Sequence, residues 1–191
     1  MGPDHALPTL EGSRLRLRQL RADDVPALFA VFSDARVMRY WSHAPFRTLD
    51  QAAWYLRDID AGRVTGTHYQ WGIVRRSDDR VIGTATLFAF DRPRRRAAIG
   101  YALAFEHWGN GYALEALQRL IAFAFSRLSL QRIEADIDAR NTASLRLAGK
   151  LGFRQSSGQD ASRPVSDETR PELKHFIDKY TFIHPDDAAD E

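Results

Sequence analysis

Residues Trp108-Gly109-Asn110-Gly111-Tyr112-Ala113 set two glycines one residue apart, directly ahead of a strongly amphipathic run. No other segment constrains the fold as much. Leu114, Leu117, Leu120, Ile121, Ala124, Phe125 and Leu128 recur at three- and four-residue spacing. The run is therefore a helix with one apolar stripe to bury against another layer. Glycine just before it lets the backbone approach a ligand and take dihedrals that other residues resist. The unpaired N–H groups of the first turn, with the positive end of the helix dipole, then form a seat for an anion. A glycine pair before a helix is a weak sign of phosphate binding when it stands alone, so the neighbouring segments decide.

Those segments alternate in type. Arg14 to Leu20, with Leu15, Leu17 and Leu20 apolar among arginines, predicts a half-exposed strand. Ala22-Asp23-Asp24 opens a helix with Leu28, Phe29 and Phe32 on one face, and Val37 to Phe46 is irregular and aromatic-rich. A second helix is expected from Thr48 to about Ala61-Gly62, with Thr48 or Asp50 as its cap. Tyr69–Arg75, Val81–Phe90 and Ala97–Leu103 read as strands, the first two joined at Ser77-Asp78-Asp79. After the glycine-led helix, Ile133, Ala135 and Ile137 alternate with Glu134, Asp136 and Asp138, a strand with one buried and one acidic face. Asn141 to Leu151 is a helix stopped by Gly152-Phe153. Gln155 to about Leu173 reads as a polar loop, Lys174–Ile183 as a last strand, residues 1–12 as a loosely held lead-in and 185–191 as an acidic tail.

Composition excludes several classes. The chain has 191 residues, 44% of them hydrophobic, which suits one domain with its own core. Its apolar stretches fall far short of a membrane span, and the N-terminus lacks the pattern of a signal peptide, so no membrane partner and a cytoplasmic location are expected. With no cysteine there is no disulfide, thiol nucleophile or zinc-thiolate site, and the six histidines are dispersed, so no metal is expected. A net charge of +2 sets up no global field for nucleic acid. Arg92-Pro93-Arg94-Arg95-Arg96 lacks interleaved aromatics and reads as a solvated hairpin tip, so no direct nucleic-acid contact is expected.

The second constellation is Asn141-Thr142-Ala143-Ser144, about thirty residues after the glycines. Asn141 has an obvious role as a helix N-cap, and Ser144 can simply satisfy a backbone group. Taken together, Ile99-Gly100-Tyr101, then Glu106 to Ala113, then Asn141-x-x-Ser144 and Lys150-Leu151-Gly152-Phe153 resemble the GNAT superfamily of acetyl-CoA-dependent N-acetyltransferases. Within it, the ribosomal-protein N-terminal (Rim-type) group is the most similar. The resemblance spans roughly residues 13–184. It implies an α/β fold: one domain with a mixed, mostly antiparallel sheet of about seven strands, flanked by about four helices, with a V-shaped splay between the two central strands.

The resemblance also implies roles. Trp108, Gly109, Asn110, Gly111, Tyr112 and Ala113 would wrap the diphosphate of acetyl-CoA. Main-chain groups around Leu103 and Phe105 would pair with its pantetheine arm, one N–H polarising the thioester carbonyl. Asn141 and Lys150 fall to the cofactor side, and Ser144 to the leaving sulfur as proton donor. The amine would attack directly in a ternary complex. Many relatives carry glutamate just before Ile-Gly-Tyr; this chain has Ala98 there, which leaves Glu134, Asp136 or a water chain as base. Arg36 to Arg47, with Arg39, Tyr40 and Trp41, would wall the acceptor site. That wall is basic and aromatic, and is expected to favour a peptide N-terminus or a small carboxylate-bearing amine over a polyamine. The alternative is that Trp41 and Phe46 belong to the core and the arginines are solvated. Relatives are monomers or homodimers. Two other readings compete: a catalytically inactive GNAT-fold module that binds acyl-CoA, toward which Ala98 leans, and a nucleotide site, for which the ribose-binding acid and Walker lysine are missing.

Overall fold

Each stretch of alternating residues becomes a strand of one sheet. The computed structural model describes residues 6–156 and 172–182. In chain order these form β1 (Leu10–Glu11), β2 (Leu15–Gln19), α1 (Val25–Phe32), α2 (Ala35–Met38), α3 (Leu49–Thr65), β3 (His68–Arg75), β4 (Arg80–Asp91), β5 (Arg96–Leu103), α4 (Tyr112–Ser126), β6 (Arg132–Asp138), α5 (Thr142–Lys150), β7 (Arg154–Gln155) and β8 (Glu172–Asp178). The strands lie in the order β1-β2-β3-β4-β5-β6-β8-β7. Every neighbouring pair is antiparallel except β5 and β6. This is the expected mixed sheet, with eight strands and five helices among the described residues.

The core splits across the two sheet faces. On one face, Leu117, Leu120, Ile121 and Ala124 of α4 meet Leu15, Leu17, Trp71, Ile73, Ile133 and Ile177. On the other, Leu28, Val31 and Phe32 of α1 pack with Leu56 and Ile59 of α3 over Val74, Val81 and Ala102. Each large side chain so buried contributes roughly 1.5–3 kcal/mol. Thr48 caps α3 as expected: its hydroxyl accepts from the Gln51 N–H, and the Gln51 side chain reaches back. Gly152 takes φ 84° after α5, while the Phe153 N–H donates to the Ala148 carbonyl (2.9 Å) and the Gly152 N–H to that of Gly149 (3.1 Å). That is the predicted glycine stop.

Several expectations are corrected. Residues 6–12 are not loosely held: Leu7 is buried, its N–H donates to Gln19 Oε1 (3.1 Å), and Trp71 Nε1 donates to the Pro8 carbonyl (2.9 Å). Helix α3 passes Gly62, which lies against the His68 ring, and ends at Gly66. A short helix, α2, forms where irregular chain was expected, started by Asp34 accepting from the Arg36 N–H (2.8 Å). The last strand stops at Asp178 and gives way to a 3-10 turn over Lys179–Thr181. Arg18 is buried in the strand expected to show its arginines, because Asp24 receives its guanidinium at two points (2.7 and 2.9 Å). Of the loop expected from Gln155 to about Leu173, Gln155 instead pairs in β7 and residues 172–173 in β8, because each finds a strand partner across the sheet. Residues 157–171, Ile183 and the acidic tail lie outside the described residues. No helix among the described residues is long and apolar enough to cross a membrane.

Gly83 fixes the distance between β4 and β5, since a β-carbon there would collide with the Ala102 carbonyl on the neighbouring backbone. Gly83→Ala is predicted to lower unfolding free energy by roughly 1–3 kcal/mol. Urea titration tests it: the midpoint should fall with the slope unchanged.

Candidate active site

The glycine loop and the parting of β5 from β6 lie at the same end of the sheet. Gly109 and Gly111 both take φ 77°, in the left-handed region that a side chain disfavours. Nothing lies within 4 Å of where a Gly109 β-carbon would be. Helix α4 begins immediately after, and no side chain caps it. Its first intrahelical bond runs from the Glu115 N–H to the Gly111 carbonyl (3.1 Å), so the N–H groups of Tyr112, Ala113 and Leu114 precede the helical ladder. That leaves free donors, a positive dipole end and open space beside Gly109.

The loop is tied down from behind. Glu115 accepts from the Arg14 backbone N–H (2.8 Å), Arg14 Nε (2.9 Å) and Ser13 Oγ (3.1 Å), while Arg14 Nη1 donates to the Asn110 carbonyl (2.7 Å). Burial pushes the Glu115 carboxyl up, but the donors from Arg14 and Ser13 outweigh it and hold the pKa below the ordinary 4.5. Arg14 also lies 4.9 Å over the Tyr112 ring. Neither Arg14 nor Glu115 was among the residues picked from the sequence. Their partnership spans a hundred residues, and spacing carries no trace of it.

β5 and β6 pair only at Arg96↔Arg132, Ala97↔Ile133 and Ala98↔Glu134. Beyond Ala98 they separate, which is the expected splay. On the β4 side, the Ala104 N–H donates to the Ile82 carbonyl (2.9 Å) and the register continues through Ala102 and Gly100. Antiparallel alternation then turns the N–H groups of Ile99, Tyr101 and Leu103 into the splay. The Leu103 carbonyl is already engaged by Trp108 Nε1 (2.7 Å), and the Phe105 carbonyl closes its own turn with the Trp108 N–H (3.1 Å). The main-chain role expected of Leu103 and Phe105 thus narrows to N–H donors and the second carbonyl lone pair.

Across the splay, Asn141 is a true N-cap, its Oδ1 accepting from the Ser144 N–H (3.1 Å). The Ser144 hydroxyl lies 2.9 Å from that of Tyr101. Burial raises the Tyr101 pKa, and the bond to Ser144 only partly offsets it. Asp138, expected on the exposed acidic face, is buried; it accepts from Arg140 N (2.9 Å), Nε (2.9 Å) and Nη2 (2.6 Å), which holds the turn into α5. Lys150 is exposed in the last turn of α5, about 9 Å along the axis from Ser144.

On the α3 face of the same strands lies a cavity of about 910 Å³, lined among others by Phe88, Ala98, Glu134, Asp136, Lys174 and Phe176. Glu134 stands on the last shared rung, 3.4 Å from Arg96 Nη1. Arg39, Tyr40 and Trp41 do not line this cavity. Trp41 packs edge-on against Phe32 (5.4 Å), a core role. Arg39 lies exposed over the Tyr40 ring. The Tyr40 hydroxyl donates to the Arg140 carbonyl (3.2 Å), while Arg36 stacks on Phe105 at 3.7 Å. The α2 segment therefore reaches both sides of the splay's open end. The arginine tip is largely spoken for: Arg94 bonds Asp91, Arg95 the Ser129 carbonyl and Arg96 Glu134.

A helix-start anion seat opening onto a splay between parallel strands defines a protein built to hold an extended phosphate-bearing ligand. The model of the acetyltransferase (GNAT) domain matches residues 14–154. The uncharacterized N-acetyltransferase YoaA of Bacillus subtilis is 38% identical over 148 residues, 78% of this chain and 84% of the relative. Mycobacterium smegmatis RimJ in complex with CoA-disulfide has the same fold, with TM-score 0.78 at 22% identity over 91% of this chain and 88% of that one. So does the spermidine N-acetyltransferase from Vibrio cholerae in complex with CoA and spermine, with TM-score 0.73 at 18% identity over 88% and 97%. The chain belongs to the GNAT acetyltransferases and is an acetyl-CoA-dependent N-acetyltransferase.

The Glu115 anchor has a testable pH signature. Because the native pKa lies below the unfolded one, its stabilisation is whole at neutral pH and fades as pH falls below about 4.5 toward the native value. Glu115→Gln should cost about 1–2 kcal/mol at pH 7. Thermal unfolding of both proteins should show that gap closing as the pH is taken down through this range.

Proposed function

We propose that this chain transfers the acetyl group of acetyl-CoA to a primary amine by direct attack, the acceptor being a peptide N-terminus or a small carboxylate-bearing amine. One observation carries the reading. The α3-face cavity reaches the rung where β5 and β6 part, and the glycine-led seat follows the other end of the parted β5 segment, so a donor laid along the splay would bring its reactive end to an acceptor in the cavity. The loop fits the donor: both glycines have the dihedrals a close backbone wrap needs, Gly109 faces open space, and α4 has free first-turn donors. When bound, acetyl-CoA supplies the acetyl thioester.

The residues then divide the work. Gly109 to Ala113 hold the diphosphate through backbone N–H groups, with Trp108 fixing the loop to Leu103. The N–H groups of Tyr101 and Leu103 face the splay and offer donors to an arm lying there and to a developing oxyanion. The side-chain carbonyl of Asn141 is spent on the Ser144 N–H, which leaves its amide for the arm. Ser144 offers its hydroxyl proton to the leaving sulfur and is reprotonated from solvent, to which Glu134 returns the proton of the amine. Glu134, at the cavity floor beside the last β5–β6 rung, accepts the proton of the incoming amine. The task is modest for an α-amine, whose pKa is about 7.7–8.0 against about 10.4 for lysine.

The cavity's polarity supports the acceptor class. Its lining carries Arg92, Arg94, Arg96, Arg132 and Lys174 against Asp91, Glu134 and Asp136. Arg94, Arg96 and Arg132 are paired with Asp91, Glu134 and Asp178, so the surplus is small. A lining with no acidic surplus gives a polycation no net attraction and suits an amine accompanied by a negative group better. The support comes from this cavity rather than from Arg39, Tyr40 and Trp41, which do not line it.

Steady-state rates across N-terminal peptides, amino acids and polyamines test the acceptor; a clear preference for spermidine would sink it. Glu134→Gln should lower kcat about ten- to a hundredfold with the KM for acetyl-CoA unchanged. The deficit should be largest below the amine pKa of about 7.7–8.0 and shrink above it. A deficit flat with pH would remove Glu134 from the role.

A further inference from the structure

We infer that Tyr101 is a positioning residue for Ser144: its hydroxyl donates to Ser144 Oγ across the splay and leaves the serine proton free to point at the leaving sulfur. The inference rests on the reading of Ser144 as donor to that sulfur. Its starting point is geometric. Tyr101 lies on the part of β5 that β6 has left, and its side chain packs on the α4–α5 face with Ile99 and Leu103. From there it meets the first turn of the helix that follows β6, with 2.9 Å between the two oxygens. One hydrogen bond thus spans the gap where the strands no longer hold each other.

A serine hydroxyl has one proton and two acceptor lone pairs, and it rotates to suit its partners. Early in a helix it can turn back onto the carbonyl four residues before, which would waste that proton. Here that carbonyl belongs to Arg140 and already accepts the Tyr40 hydroxyl (3.2 Å) and the Thr142 N–H (3.0 Å), which together occupy both its lone pairs. The Ser144 backbone is fixed by Asn141 Oδ1, and Asn141 in turn by its N–H to the Asp138 carbonyl (2.8 Å). What remains to be set is the hydroxyl rotor, and Tyr101 sets it. Burial keeps the phenol protonated, so it is a standing donor across the neutral range. No proton passes through Tyr101. It donates a hydrogen bond throughout, and the Ser144 proton alone faces the departing sulfur.

The test reads the thiol rather than turnover. CoA is bound to the wild type, Tyr101→Phe, Ser144→Ala and the double variant, and the thiolate of bound CoA is titrated by its ultraviolet absorbance. Ser144→Ala should raise the midpoint by about one pH unit and Tyr101→Phe by about half a unit, with the double variant no higher than Ser144→Ala. In turnover, Tyr101→Phe should lose about threefold in kcat with the KM for acetyl-CoA unchanged. A wild-type midpoint in Tyr101→Phe beside a raised one in Ser144→Ala overturns this inference alone. An additive double variant does the same, and so does an about tenfold loss of CoA affinity in Tyr101→Phe, which would make the contact merely structural. A wild-type midpoint in Ser144→Ala removes the underlying reading of Ser144 as well.

Discussion

The parallel pairing of β5 with β6 lasts three rungs, and the rest of the molecule is arranged around its ending. Strands that part leave N–H and C=O groups without ladder partners, and such groups need others. Here the Leu103 carbonyl takes the Trp108 indole, and the N–H groups of Ile99, Tyr101 and Leu103 face the gap. The gap also needs bracing, because the sheet cannot hold itself together where it lacks hydrogen bonds. Helices α4 and α5 bury one face of both strands, Tyr101 meets Ser144 across the opening, and the α2 segment touches Phe105 on one side and Arg140 on the other. A splay built this way is a rigid slot, which is what a long ligand with a reactive end requires.

Periodicity made most of the scaffold legible. The α4 stripe as far as Phe125, the alternation of Ile133, Ala135 and Ile137, the Thr48 cap and the Gly152 stop each follow from a local rule and stand where they were read; Leu128 alone falls past the helix end at Ser126. The errors share one cause. A local rule cannot see a partner supplied from elsewhere. Arg18 looked solvated because Asp24 was not known to face it, and Asp138 looked exposed because its turn onto Arg140 has no periodic signature. Residues 6–12 looked loose because a two-residue strand has no pattern to find; Leu7 and the Pro8 carbonyl are held by Gln19 and Trp71.

The donor side was more legible than the acceptor side for a related reason. Glycines before a helix announce a function of the backbone, and the backbone conformation is written locally. An acceptor cavity is made of side chains from distant strands, with Phe88, Glu134 and Phe176 brought together only by the sheet order. The segment Arg36–Arg47 was conspicuous for its charge and aromatics, yet Trp41 serves the core and Tyr40 braces the β6–α5 turn. Tyr101 was visible as part of Ile99-Gly100-Tyr101, but its meeting with Ser144, forty-three residues away, was not. A tyrosine expected to face a helix across a splay is a signal that could have been followed.

The sheet itself separates the two ligands' environments. The α4–α5 face carries the uncapped start of α4 and the Ser144 hydroxyl, the α3 face carries the cavity, and Ala98 and Glu134 stand at the last rung the two strands share. Substitutions in the cavity lining can therefore change acceptor polarity without disturbing the glycine loop or its Arg14–Glu115 anchor. One fold can in this way carry different acceptor sites on an unchanged scaffold. The same division bears on the alanine at position 98. The β-carbon there cannot act as a base, and Glu134 stands opposite it on the same rung. On the proposed reading the base at this rung is therefore the β6 carboxylate, Glu134.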